Sequence, residues 1–108
     1  DYTPVIVWAE GHVKAVEFAA GRKGAEIFNL GTAKPYSVLD IVNIFQQVNV
    51  VKVNYAIGPR RAGDLPVCYA DAGKAKKVLG WEAKRTLADM CRDSWNWQKN
   101  NPDGYQDA

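Results

Sequence analysis

The sequence holds one histidine, His12, and two cysteines, Cys68 and Cys91, so the side chains that build most metal centres are nearly absent. It contains neither a CxxC pair nor a His/Cys cluster, which argues against a zinc site. A Cys–His nucleophile pair would need His12 beside one of the thiols, and nothing in the spacing sets that geometry. Two free thiols fit a reducing compartment, so a cytoplasmic location is expected. No apolar run is long enough to cross a bilayer, and no signal peptide is visible. Charge of one sign is also scarce. Fourteen Lys and Arg face twelve Asp and Glu, a net charge of +2, which is too small to argue for nucleic acid. The basic residues are scattered apart from Arg60-Arg61 and the Lys74, Lys76, Lys77 group, and the latter reads as a solvated helix face. A GxGxxG dinucleotide fingerprint is missing, as is a P-loop. Gly31-Thr32-Ala33-Lys34-Pro35 lacks the second glycine and the Lys-Ser/Thr pair, so it reads as a strand-to-helix connector.

What is present bounds one domain. A chain of 108 residues can bury a real core but cannot hold a two-domain enzyme. It opens at Asp1-Tyr2-Thr3-Pro4 rather than at a methionine, so it is expected to be a piece of something longer. Val5, Ile6 and Val7 could form a short strand, after which His12, Val13, Val16, Ala19 and Ala20 recur at helical spacing up to residue 20. His12 on that apolar face is expected to be packed in the core. Residues 26–30 form a compact strand candidate ended by Gly31. Ser37 with Asp40 resembles a capping box, opening a helix with Val38, Ile41, Val42 and Phe45 on one face. Residues 51–57 alternate in part and predict another strand. Asp71 is expected to cap a short helix that turns Ala72, Ala75, Val78 and Leu79 inward and ends at Gly80. Thr86 with Asp89 predicts a last helix, with Leu87, Met90, Cys91, Ser94 and Trp95 on one side, stopped by residues 101–104. Trp8, Trp81, Trp95 and Trp97 are expected to pack in the core or at its edge rather than to stack on bases. Helices interleaved with two or three short strands give an α/β or small α+β fold.

The chemistry concentrates in Pro59-Arg60-Arg61-Ala62-Gly63-Asp64 and the Leu65–Asp71 stretch behind it. Arginine offers a planar fork of donors suited to phosphate oxygens. Glycine lets the backbone bend and approach a ligand closely. Aspartate can accept hydrogen bonds from sugar hydroxyls. Phosphate and ribose gripped by one loop would make it a nucleotide-handling loop, while an ordinary solvated basic turn fits the spacing equally well. These residues are binding groups and not a general acid–base set, because the guanidinium stays protonated.

Several segments together resemble the carboxy-terminal domain of the UDP-glucose (UDP-galactose) 4-epimerases, within the extended short-chain dehydrogenase/reductase class. They are Arg60-Arg61-x-Gly63-Asp64, Cys68-Tyr69-Ala70-Asp71, Asn29-Leu30-Gly31-Thr32 and Tyr36-Ser37-Val38-Leu39-Asp40. The opening Asp1-Tyr2, Gly11-His12-Val13 and the stretch from Trp95-x-Trp97-Gln98 to Gly104-Tyr105 agree as well. The Arg-x-Gly-Asp piece is shared with many nucleotide-sugar enzymes, and the Trp-x-Trp-Gln ending narrows the resemblance to the galactose-epimerase branch. The resemblance implies an NAD-dependent isomerase of galactose metabolism. Its amino-terminal Rossmann domain, which this sequence does not contain, holds NAD and the catalytic Tyr and Lys. Hydride leaves C4 of the sugar, the 4-keto intermediate rotates, and hydride returns to the other face. Residues 1–108 would then be the UDP-sugar-binding domain, for UDP-glucose or UDP-galactose, without catalytic residues of its own. The full-length enzyme could be a homodimer.

By the same resemblance Arg61 binds the diphosphate and Asp64 the uridine ribose, Arg60 braces the loop or pairs with a carboxylate, and Tyr2 is counted with them. Cys68 falls where the family lines its sugar pocket. A small residue there leaves room for an N-acetyl group, which extends the implied substrates to UDP-GlcNAc and UDP-GalNAc. The sequence also departs from the family. Val7 stands where an aspartate usually helps to start the helix, Pro4 interrupts the extended opening, and Ala33-Lys34-Pro35 replaces a flexible Gly-x-Gly loop. Two other readings compete: the equivalent domain of another nucleotide-sugar epimerase or dehydratase, and a stand-alone binding module without chemistry.

Overall fold

The computed structural model describes residues 1–105. Its elements are α1 (Val5–Ala19), α2 (Val38–Asn49), a five-residue π-helical turn (Ala75–Leu79) and α3 (Leu87–Asn100). α1 packs on the π-turn, and α2 packs on α3. Among the described residues there is no strand, so the α/β expectation is not met by the observed elements. A strand exists only as one partner of a ladder, and a sequence pattern marks the residues able to pair without supplying the neighbour. In both candidate strands side chains take up backbone groups instead. Lys74 Nζ donates to the Ile27 carbonyl at 2.9 Å, and the Val53 N–H donates to Gln46 Oε1 at 2.8 Å.

α2 and α3 start as their sequences predict. Ser37 Oγ accepts from the Asp40 N–H, and the Asp40 carboxylate accepts from the Ser37 N–H. Thr86 and Asp89 do the same for α3. Each box satisfies two backbone donors that a helix start otherwise leaves free. The backbone and hydroxyl hydrogen bonds from the capping residue hold each aspartate below its ordinary pKa. α1 starts without a side-chain cap. The Pro4 carbonyl accepts from Val7 and Trp8, and Val7 itself is fully buried, so burial replaces the usual aspartate. The expected strand at residues 5–7 is therefore the first turn of α1.

The core cluster joins Val7, Ala75, Leu79 and Trp81, with Phe18, Phe28 and Leu30 against it. Phe18 and Phe28 meet edge to face at 5.5 Å. Leu87 and Cys91 are buried on α3, and Phe45 meets Trp95 at 5.9 Å. Burial pushes the Cys91 thiol pKa up. Trp8 and Trp97 are exposed, so the packing expectation holds for Trp81 and Trp95 only. His12 corrects a second expectation. It lies exposed on the outer side of α1, with Nδ1 2.7 Å from the Trp8 carbonyl. The radius of gyration is 17.1 Å, against about 13 Å for a compact chain of this length.

Ala33 and Val50 both sit at positive φ, 57° and 52°. Ala33 occupies the connector where the resemblance implies a flexible Gly-x-Gly loop, and its backbone there favours glycine. Val50 ends α2 in the left-handed region and is 91% exposed. A β-branched residue is out of place there and has almost no packing to lose. Val50→Gly is expected to stabilise the chain by about 1 kcal/mol, the left-handed strain relieved less the added freedom of glycine in the unfolded chain. A urea midpoint that falls in the variant would contradict this.

Candidate functional site

The arginine loop is a turn closed by its own side chains. The Asp64 N–H donates to the Arg61 carbonyl at 3.4 Å, and Gly63 at φ 83° makes the bend. Only glycine enters that region without cost. The turn brings the two predicted ligand groups face to face. Arg61 Nε and one terminal nitrogen donate to the two Asp64 carboxylate oxygens at 3.1 and 3.2 Å. Arg60 donates to the Asp64 backbone carbonyl at 3.0 Å, so it braces the loop. Every residue from 54 to 69 is exposed.

A bidentate ion pair on an open surface holds with less than about 1 kcal/mol, because both partners stay solvated and screened. The Arg61 and Asp64 side chains are 84% and 41% exposed. An incoming anion can therefore displace Asp64 from Arg61 at small cost. A guanidinium donates hydrogen bonds and carries no acceptor, so the arrangement can bind but offers no proton-transfer pair.

Cys68 and Tyr2 are linked only through Asp1. The Asp1 backbone nitrogen donates to the Cys68 carbonyl, and Tyr2 follows directly on Asp1. Both residues are exposed. Among the described residues no hydrogen bond joins Cys68 or Tyr2 to the Arg61–Asp64 turn. The structure thus groups the five predicted residues in two places: Arg60, Arg61 and Asp64 in the turn, Cys68 and Tyr2 at the junction with Asp1.

The Asp1 carboxylate is the feature that the sequence did not reveal. It accepts from the Thr32 N–H at 3.0 Å, the Thr32 hydroxyl at 2.7 Å, the Ala70 N–H at 3.2 Å and the Thr3 hydroxyl at 3.3 Å. Gly31 makes this possible. A Cβ at Gly31 would stand 2.4 Å from Asp1 Oδ2 and 2.8 Å from the Ala70 Cβ. The only local signal was Gly31 followed by Thr32. Among the described residues no group of three or more His, Cys, Asp or Glu side chains is placed to hold a metal ion. No helix among them is long and apolar enough to cross a membrane.

No protein-family model matches the chain. Known proteins do. A crystal structure of UDP-glucose 4-epimerase from Bifidobacterium longum in complex with NAD+ and UDP superposes at a TM-score of 0.91. That match has 44% identity and covers 97% of this chain and 31% of that one. The class is therefore the extended short-chain dehydrogenase/reductase fold. UDP-glucose 4-epimerase of Bacillus subtilis (strain 168) is 51% identical over 108 residues, all of this chain. The corresponding protein of Haemophilus influenzae is 48% identical over 107 residues. These relatives are UDP-glucose 4-epimerases, and the chain spans about a third (32%) of the length of the curated relatives it matches.

Proposed function

We propose that this chain is the UDP-sugar-binding part of a UDP-glucose 4-epimerase. The observation that carries the proposal is the Arg61–Gly63–Asp64 turn, exposed and self-paired, in a chain related along its length to enzymes of that name. Arg61 would take the diphosphate once Asp64 lets go, and Asp64 would turn to the ribose hydroxyls. Arg60 keeps the turn closed through the Asp64 carbonyl. Cys68 and Tyr2 would form the sugar side.

NAD does not fit residues of this chain, since the 108 residues carry no dinucleotide fingerprint. The hydride chemistry and NAD belong, in this reading, to the remaining two thirds of the enzyme. That part would also cover the apolar outer face of α1. A nucleotide-sugar dehydratase would share the turn, but the relatives at 48–51% identity favour the epimerase.

Titration with UDP, read by amide NMR, tests the proposal. Shifts are expected at Arg61, Gly63 and Asp64, lost in Arg61→Ala. No shift in the loop at saturating UDP would reject it. Repeating the titration with UDP-glucose and UDP-GlcNAc tests the sugar side. Cys68→Tyr should weaken UDP-GlcNAc selectively, and equal binding of both sugars by the variant would remove Cys68 from that role.

A further inference from the structure

We propose that Asp1 is a positioning residue that clamps the substrate loop to the chain opening, an inference that rests on the UDP-sugar reading above. One carboxylate joins three segments that are far apart in sequence. Asp1 itself precedes Tyr2. Thr32 follows the buried Gly31 and donates from both its N–H and its hydroxyl. Ala70, two residues beyond Cys68, donates its N–H at 3.2 Å. The Thr3 hydroxyl adds a fourth donor at 3.3 Å.

The donor count decides the role. A carboxylate has about four lone-pair sites. Four neutral donors fill them, and the Thr32 N–H reaches both oxygens, at 3.0 and 3.3 Å. No capacity is left for a ligand hydroxyl, so Asp1 acts through what it holds. It holds the Cys68–Ala70 segment against the Gly31–Thr32 connector and next to Tyr2. The Arg61–Asp64 turn does not depend on it, because that turn is closed by its own bonds. Loss of the clamp should therefore be felt at the sugar end more than at the diphosphate.

The test is Asp1→Ala, with Gly31→Ala as a second route to the same loss. Alanine removes both carboxylate oxygens and leaves all four donors without their shared acceptor. Alanine at 31 pushes the carboxylate out, since its Cβ would stand 2.4 Å from Oδ2. Hydrogen exchange at the Thr32 and Ala70 amides should speed up about tenfold in either variant, while α3 amides keep their protection. Affinity for UDP-glucose should fall about tenfold and that for UDP no more than about twofold, a change of ratio that general destabilisation does not produce. Unchanged exchange at Ala70 would overturn the clamp. Faster exchange with an unchanged UDP-glucose to UDP ratio would overturn the positioning role. If the native chain binds neither nucleotide, the nucleotide reading falls, and exchange at Thr32 and Ala70 alone decides whether Asp1 holds the loop.

Discussion

Trp81→Ala is expected to remove about 3–5 kcal/mol of stability, because it empties the centre of a small core. Trp81 is 3% exposed and belongs to the cluster with Val7, Ala75 and Leu79. A domain of this size has about 5–15 kcal/mol in total. This one buries few large side chains, so the lower end applies and the loss should unfold most of it. Near-ultraviolet circular dichroism and the urea midpoint measure the effect. Trp81→Phe supplies the contrast. The buried indole Nε1 has no hydrogen-bond partner. An orphan buried donor costs about 1–3 kcal/mol, which phenylalanine recovers while losing part of the ring volume. The phenylalanine variant should therefore stay within about 1.5 kcal/mol of the native chain. Equal losses for both variants would show that the cluster does not depend on the ring.

The same cluster shows what a sequence can and cannot announce. Both capping boxes were legible, since Ser37 with Asp40 and Thr86 with Asp89 act within one turn. Their donors and acceptors are fixed by spacing alone. The strands at 26–30 and 51–57 were not, because pairing depends on a neighbour that no local pattern specifies. His12 failed for a different reason. Apolar spacing told that α1 has an apolar face, but α1 has two, and periodicity does not say which one meets Trp81. Val7 and Gly11 turned out to be the buried positions.

The candidate site divides along the same line. Arg61, Gly63 and Asp64 could be read together because a guanidinium and a carboxylate three residues apart across a glycine meet within one turn. Asp1 and Ala70 are 69 residues apart, and no spacing rule joins them. A carboxylate that binds only neutral donors also leaves no charge pattern to find. Gly31 is visible in the sequence as a break, and the local pattern around it points only to a connector. Its reason is the close approach of Asp1 and Ala70, which appears only once the fold exists.

The outer face of α1 leads to the other large expected effect: the isolated chain should self-associate. At about 100° per residue, Val5, Ile6, Trp8, Ala9, Val13 and Val16 spread over roughly 160° of the helix, with His12 the one titratable group among them. All six are exposed. A helix apolar on two sides needs cover on both. The accessible surface is 8555 Å², against about 6,000 Å² for a folded monomer of this mass. Burying Val5, Ile6, Val13 and Val16 in two copies gives about 12 kcal/mol at roughly 1.5 kcal/mol each. Association costs about 4–15 kcal/mol in lost freedom. The margin is narrow, so the apparent mass by light scattering should rise with concentration rather than sit at a fixed dimer. Val13→Glu with Val16→Lys places opposite charges three residues apart, which the helix tolerates. That double variant should scatter as a monomer and lose binding of an apolar dye, with the helical far-ultraviolet circular dichroism unchanged. A native chain that remains monomeric at every concentration and binds no dye would mean that the α1 face is content in water, and that the surplus surface lies elsewhere.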